Sequence, residues 1–195
     1  MRDSYRTPGA PAEFRQKIER SDFLGLAIPV SGERDFFMQL NAATKRYFDA
    51  THHCWAFRLF EGEHSRSADA GEPSGTAGRP ILSAIEGADL FDVAVIVVRW
   101  FGGVKLGTGG LGRAYRDTAV NTLRQSTMVE RYIYDRVNVV VPFDRIADAY
   151  RLIDPPAVVL AGETYGEVNE FAFDVRRSRR DEFASSLAAR RLTLR

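Results

Sequence analysis

The sequence predicts an α+β chain of two domains that join near residue 129. Three observations predict it. Apolar spacing alternates along the chain between a period of two and a helical period. The run DVAVIVVRWF, Asp92 to Phe101, is almost continuously apolar and valine-rich, as a strand covered on both faces must be. Around Met128 to Arg131 the pattern resets, and the remaining residues read as a β-α-β-β-α unit of their own. At 195 residues the chain can hold two small cores.

The elements follow in order. After a Pro- and Gly-containing leader, DFLGLAIPV (Asp22 to Val30) reads as the first strand. Ser31 is placed to cap a helix in which Phe36, Phe37, Leu40, Ala43, Thr44, Tyr47 and Phe48 recur at helical spacing. HHCWAFRLF reads as a second strand, with His53, Trp55, Phe57 and Leu59 on one face and His52, Cys54, Ala56 and Arg58 on the other. The next stretch, EGEHSRSADAGEPSGTAGR, has no periodicity and reads as a long functional loop. Pro80 suits the first turn of a helix carrying Ile81, Leu82 and Ile85. After the apolar strand comes a glycine-rich loop and a helix from about Gly109 to Gln125.

In the second half, ERYIYDRVNVVVPF alternates as a strand with Val137, Val139 and Val141 on one face. DRIADAYRLID reads as a helix that stops at Pro155-Pro156. AVVLAGETYGEVNEFAFDVR reads as two strands about a turn at Gly166, and SRRDEFASSLAARR as a helix capped by Ser178. With a short strand LTLR this is most of a ferredoxin-like unit. The domain boundaries predicted are 1–129 and 130–195.

Composition narrows the function. The formal net charge is +1, so any affinity for anions must come from a local patch. Cys54 is the single cysteine, which excludes an intrachain disulfide and a multi-cysteine zinc site. Only His52 and Cys54 share a strand face, with no third ligand at zinc-like spacing, so no metal is expected. No run of about 18 apolar residues exists. The start lacks the apolar core of a signal peptide, and the expectation is a cytoplasmic protein without a membrane segment.

The stretch RWFGGVKLGTGGLGRAY, Arg99 to Tyr115, holds six glycines between a strand and a helix. On a helical wheel Leu111, Ala114, Tyr115, Thr118 and Thr122 share one side, while Arg113, Arg116, Asp117 and Arg124 lie opposite. A helix N-terminus, glycine backbone, the Thr108 hydroxyl and the cations Lys105 and Arg113 together describe an anion site. The alternative is purely structural, with glycines that serve packing and Asp117 neutralising Arg113. Residues 107–112 also fit G-x-G-x-x-G, but Phe101 to Leu106 separates that pattern from the strand, which argues against a dinucleotide fold. No cofactor is expected. GEPSGTAGR supplies Glu72, Ser74, Gly75, Thr76 and Arg79 on a second loop, which would close one pocket lined by Arg79, Lys105 and Arg113. Arg176 to Arg180 is the densest basic run and reads as a solvated turn, with a phosphate-backbone contact as the alternative.

GEPSGTAGRPIL (Gly71 to Leu82) followed by VAVIVVRWFGGVKLGTGGLGRAYRDTA (Val93 to Ala119) resembles the YigZ/IMPACT family, and HHCWAFR is similar to that family's second-strand segment. The resemblance runs from about Phe23 to Ala119. It implies a ribosomal protein S5 domain 2-like fold for the first domain and supports a ferredoxin-like second domain. It also implies nucleic-acid binding and a role in the regulation of translation. Two positions depart from the family pattern: Ala70 stands where an acidic residue is usual before Gly71-Glu72, and Asp22 where a basic residue is common.

The leading expectation is therefore a non-catalytic or weakly catalytic protein that binds RNA, the ribosome or another phosphate-rich partner. Its phosphate site would comprise Arg79, Gly102, Gly103, Lys105, Gly107, Thr108, Gly109, Gly110, Arg113 and Arg116, with Glu72, Ser74, Gly75 and Thr76 on the facing loop. The alternatives are an enzyme acting on a phosphorylated small molecule or nucleotide, with Glu72 or Asp69 as base, and a ligand-free module that docks a protein partner in translation control.

Overall fold

The computed structural model describes residues 2–195, which divide into two compact units. One comprises residues 6–130 and the other residues up to Tyr5 together with 131–195. The leader is therefore not a single loop. It holds β1 (Ser4–Pro8) and β2 (Ala12–Ile18), and the residues before Arg6 fold with the C-terminal unit. Pro8, Gly9 and Pro11 break the pattern that would have revealed β1. β2 is an edge strand with exposed Glu13, Arg15 and Lys17, so its apolar signal is thin.

In the unit of residues 6–130 the chain continues through β3 (Ser21–Pro29), α1 (Glu33–Arg46), β4 (His52–Arg58), β5 (Ser65–Ala68) and α2 (Gly78–Gly87). β6 (Val93–Trp100) and α3 (Gly107–Gln125) follow, and β7 (Met128–Tyr132) begins in this unit and ends in the other. A five-stranded sheet has the order β2-β3-β6-β4-β5 with every neighbouring pair antiparallel, and β1 pairs separately with β7. β6 is central and buried on both faces, which is what its continuous apolar run requires.

Strand alternation divides its side chains. Val93, Val95 and Val97 pack with Cys54, Ala56, Ile81, Ile85 and Tyr115 beneath α2 and α3. Ala94, Ile96 and Val98 pack with Phe36, Trp55 and Phe57 beneath α1. The wheel of α3 holds: Leu111, Ala114, Tyr115, Thr118, Ala119, Thr122 and Leu123 are its buried residues.

Several local expectations are corrected. Gly32, not Ser31, precedes α1; the Ser31 amide and hydroxyl both donate to the Asp35 carboxylate. β5 lies inside the stretch read as a loop, hidden because Ser65, Arg66 and Ser67 are exposed and polar on a sheet edge. α3 begins at Gly107, two residues before the expected start.

The second unit runs β8 (Tyr134–Val141), α4 (Ile146–Tyr150), β9 (Val158–Thr164), β10 (Asn169–Arg176), α5 (Arg180–Ala189) and β11 (Thr193–Leu194). Its antiparallel sheet has the order β11-β8-β10-β9. Val137, Val139 and Val141 join Phe171, Phe173, Phe183 and Leu187 in its core. The strand expected from Glu130 is broken at Ile133, between β7 and β8. The expected helix after it is reduced to a 3-10 turn, Phe143–Arg145, and the short α4. Ser178 does not cap α5; its amide donates to Asp3 Oδ1 at 2.8 Å. Among the described residues no helix is long and apolar enough to cross a membrane.

Candidate anion site at the start of α3

Sheet register builds the site. Phe23 of β3, Arg99 of β6 and His52 of β4 are direct neighbours across the sheet. Arg99 continues the face of Val93, Val95 and Val97, so an arginine enters the apolar layer beneath α2 and α3. A buried guanidinium requires partners, and Glu72 supplies the charge. Arg99 Nη1 donates to Glu72 Oε1 at 2.5 Å, with the two side chains 5% and 4% exposed. Arg99 Nη2 donates to Ser21 Oγ at 3.1 Å, while Arg99 Nε is buried without a partner. The guanidinium carbon lies 5.3 Å from the Phe23 ring and 5.4 Å from that of Phe101.

Tyr115, on the buried side of α3, donates its hydroxyl to the same Glu72 oxygen at 2.7 Å. Burial first, and then neighbouring Cys54 and Glu72, push the Tyr115 phenol far above its usual range, so it is a fixed donor. His52 Nε2 stands 3.9 Å from Glu72 Oε1. The other ring nitrogen, Nδ1, lies 3.0 Å from the Ala70 carbonyl, and because a carbonyl only accepts, Nδ1 carries the proton. In the neutral ring Nε2 is then the acceptor.

These groups open into a cavity of about 440 Å³ lined by His52, Glu72, Pro73, Arg99, Phe101, Lys105, Leu106, Gly107, Thr108 and Leu111, with Thr51 at its edge. The GEPSGTAGR loop and the RWFGGVKLGTGGLG loop therefore face one cavity. Two glycines of the second loop have clear backbone reasons. A Cβ on Gly102 would stand 2.0 Å from the Arg20 carbonyl oxygen, and Gly107 has φ +69 where the chain enters α3. No side chain caps α3, so the first-turn amides stand beside Lys105 and the Thr108 hydroxyl, an arrangement that favours an anion.

The other expected site residues fall elsewhere. Arg79 and Arg113 are exposed and do not line this cavity, and Arg116 lines a different groove. Asp117 makes no ion pair with Arg113 among the described contacts. Gly103, Gly109 and Gly110 belong to the loop and first turn without lining the cavity. Ser74 is exposed, and Gly75 and Thr76 shape the turn: the Gly75 amide donates to Asp69 Oδ2, and Thr76 Oγ1 donates to the Pro73 carbonyl.

Asp69 is committed to structure. Oδ1 accepts from the amides of Ala77 and Gly78, each at 2.9 Å, which closes the start of α2. Burial raises its pKa, but the Gly75, Gly78 and Ala77 amides outweigh that and hold it below the usual carboxylate range. The start of α2 is thus already filled by a carboxylate, whereas Gly107 and Thr108 in the first turn of α3 line this cavity and no side chain caps them. The basic run is likewise occupied. Arg176 pairs with Asp3, Arg177 and Arg180 with Asp135, and Arg179 with Glu182. Among the described residues no group of three His, Cys, Asp or Glu could hold a metal ion.

Residues 19–123, more than half of the chain, match the family model described as the Impact N-terminal domain. The chain belongs to the IMPACT family. A Thermus thermophilus IMPACT family member is 43% identical over 136 residues, covering 70% of this chain and 73% of that protein. The Bacillus subtilis member YvyE is 39% identical over 132 residues, 67% of this chain. The match spans 61% of that Bacillus relative, less than two thirds of its length. A solved structure described as an hypothetical protein matches this IMPACT chain with a TM-score of 0.77 at 25% identity, covering 100% of this chain and 97% of that one. The cavity residues His52, Glu72, Arg99, Lys105 and Thr108 all lie inside the matched family region.

Sequence reading missed the Glu72–Arg99–Tyr115 cluster. The signal was available: an arginine in a strand buried on both faces demands an acidic partner, and Glu72 is the acidic residue of the nearer glycine loop.

Proposed function

We propose that this IMPACT family chain binds a phosphate-bearing ligand at the start of α3, with RNA as the leading class, in a cytoplasmic role in translation. One observation carries the reading: the uncapped first turn of α3 opens, with Lys105 and Thr108, into the cavity floored by the Glu72–Arg99 pair. The amides and Lys105 would take phosphate oxygens, and Phe101, 46% exposed at the rim, offers a ring for a base. The family resemblance supports the translation role. It also supports reading the first unit as S5 domain 2-like and the β8-α4-β9-β10-α5-β11 unit as ferredoxin-like.

The test is fluorescence anisotropy of labelled single-stranded RNA, with DNA for comparison, at low and high salt. Binding that falls with salt, and falls further in Lys105→Ala/Thr108→Ala, is the expected result. Absence of binding at low salt overturns it. A second reading, an enzyme on a phosphorylated small molecule, is favoured by His52, which lines a cavity of small-ligand size beside Glu72. It predicts saturable thermal stabilisation by one compact phosphorylated compound, independent of RNA length.

A further inference from the structure

A second concave surface lies in the same unit, away from the start of α3. It is a groove of about 600 Å³ lined by residues of the C-terminal halves of α2 and α3 together with Arg6 of β1, Ser126 and Met128. α2 presents only Ser83, Ala84 and Gly87 to it, followed by Ala88, so that wall is made of small side chains. The floor is aliphatic, formed by Leu90, Val120 and Leu123. Arg6, Arg116 and Arg124 line it, all three exposed.

The groove gathers three arginines on one surface, whereas many arginines elsewhere in the chain are neutralised. Arg15, Arg66, Arg99, Arg136, Arg151 and Arg195 each contact a carboxylate, as do the arginines of the 176–180 run. Among the described contacts Arg6, Arg116 and Arg124 have no acidic partner. Three uncompensated guanidiniums from two elements thus converge on one aliphatic floor, with no acidic residue among the lining side chains.

We propose that this groove docks an acidic amphipathic helix of a partner protein, aliphatic residues on the floor and carboxylates against Arg6, Arg116 and Arg124. Three features favour such a segment. No aromatic ring lines the groove, so nothing stacks a base, and an aliphatic floor gains nothing from a sugar-phosphate backbone. The arginines are exposed at the rim, as in an open trough that receives a chain segment. From Arg116 to Arg124 α3 rises about 12 Å, the length of roughly two helical turns laid alongside. Charge at the rim would speed association and fix direction, while the floor supplies apolar contact.

The test is selection of peptides from a random library, each about 12 residues long (about 18 Å as a helix), on the immobilised full chain. The expected result is enrichment of sequences with carboxylates flanking aliphatic residues at helical spacing. Their affinity should fall at least about tenfold in Arg116→Ala/Arg124→Ala, as for truncated interface charges. It should fall similarly in Gly87→Leu, where an added side chain meets no protein atom within 4 Å of its Cβ and fills the trough. Thermal melting confirms that each variant folds. Lys105→Ala should leave peptide binding unchanged, which separates this site from the phosphate cavity. No acidic enrichment, enrichment insensitive to both groove variants, or loss in Lys105→Ala overturns the proposal. Displacement of the peptide by RNA that depends on Arg116 and Arg124 also overturns it, in favour of a nucleic-acid groove.

Discussion

Glu72 and Arg99 form a buried ion pair at 2.5 Å, with no more than 5% of either side chain exposed. Removing one charge leaves the other stranded in an apolar layer. Glu72→Gln is expected to cost about 3–5 kcal/mol, read by urea unfolding. Glu72→Gln/Arg99→Met should recover much of that loss, because a neutral pair has no stranded charge. Equal losses in the single and double variants would contradict the pairing.

Tyr115→Phe removes one hydrogen bond to a carboxylate that keeps Arg99 as partner. A loss of about 1.5–3 kcal/mol is expected in the same assay. An unchanged unfolding midpoint would show that the hydroxyl does not hold Glu72.

Glycines of the second loop should separate stability from binding. Gly102→Ala drives a Cβ to 2.0 Å from the Arg20 carbonyl oxygen and should destabilise the sheet edge measurably. A Cβ at Gly109 meets only Arg113 Nη1, at 3.7 Å, so Gly109→Ala should stabilise α3 by up to about 1 kcal/mol. Gly109 does not line the cavity, so the melting temperature should rise while affinity for RNA stays unchanged. A loss of affinity would place the ligand over Gly109 instead of in the cavity.

The Asp69 carboxyl titrates below its unfolded value, so its capping contribution is complete above about pH 4, the ordinary carboxylate range. It is lost as pH falls through the lower folded value. Asp69→Asn should lower stability near neutrality and flatten the acid limb of the stability curve. Parallel curves for both proteins between pH 2 and 5 would contradict this cap.

Burial pushes the Cys54 thiol up to about 12, and its sulfur donates to the Asp69 carbonyl at 2.9 Å. The native protein should therefore resist alkylation at pH 8 and react once per chain in denaturant. Rapid native labelling would mean that β4 opens far more readily than its core position implies.

Long periodic elements were legible in the sequence because burial writes them directly: the valines of β6 and the buried stripe of α3 need no tertiary information. β1, β2 and β5 were not, since edge strands carry polar residues outward and leave little apolar alternation. Of the residues that the two glycine-rich loops single out in the sequence, Lys105, Gly107, Thr108 and Glu72 line one cavity. Arg79, Arg113 and Arg116 were grouped with them through sequence proximity and helix position. The direction each takes depends on how α2 and α3 lie on the sheet, which no local pattern encodes. The ion pairs along Arg176–Arg180 were equally hidden, because two of their acidic partners, Asp3 and Asp135, are distant in sequence.

The folding of residues before Arg6 with the C-terminal unit has a consequence for synthesis. Asp3 finds its guanidinium partner at Arg176, 173 positions later. At ~5–20 residues per second the interval between them on the ribosome is roughly 10–35 s. The unit of residues 6–130 can close within that time, while Asp3 still waits for its partner. The C-terminal unit, although nearly contiguous, thus matures by recapturing a piece of chain that left the exit tunnel long before.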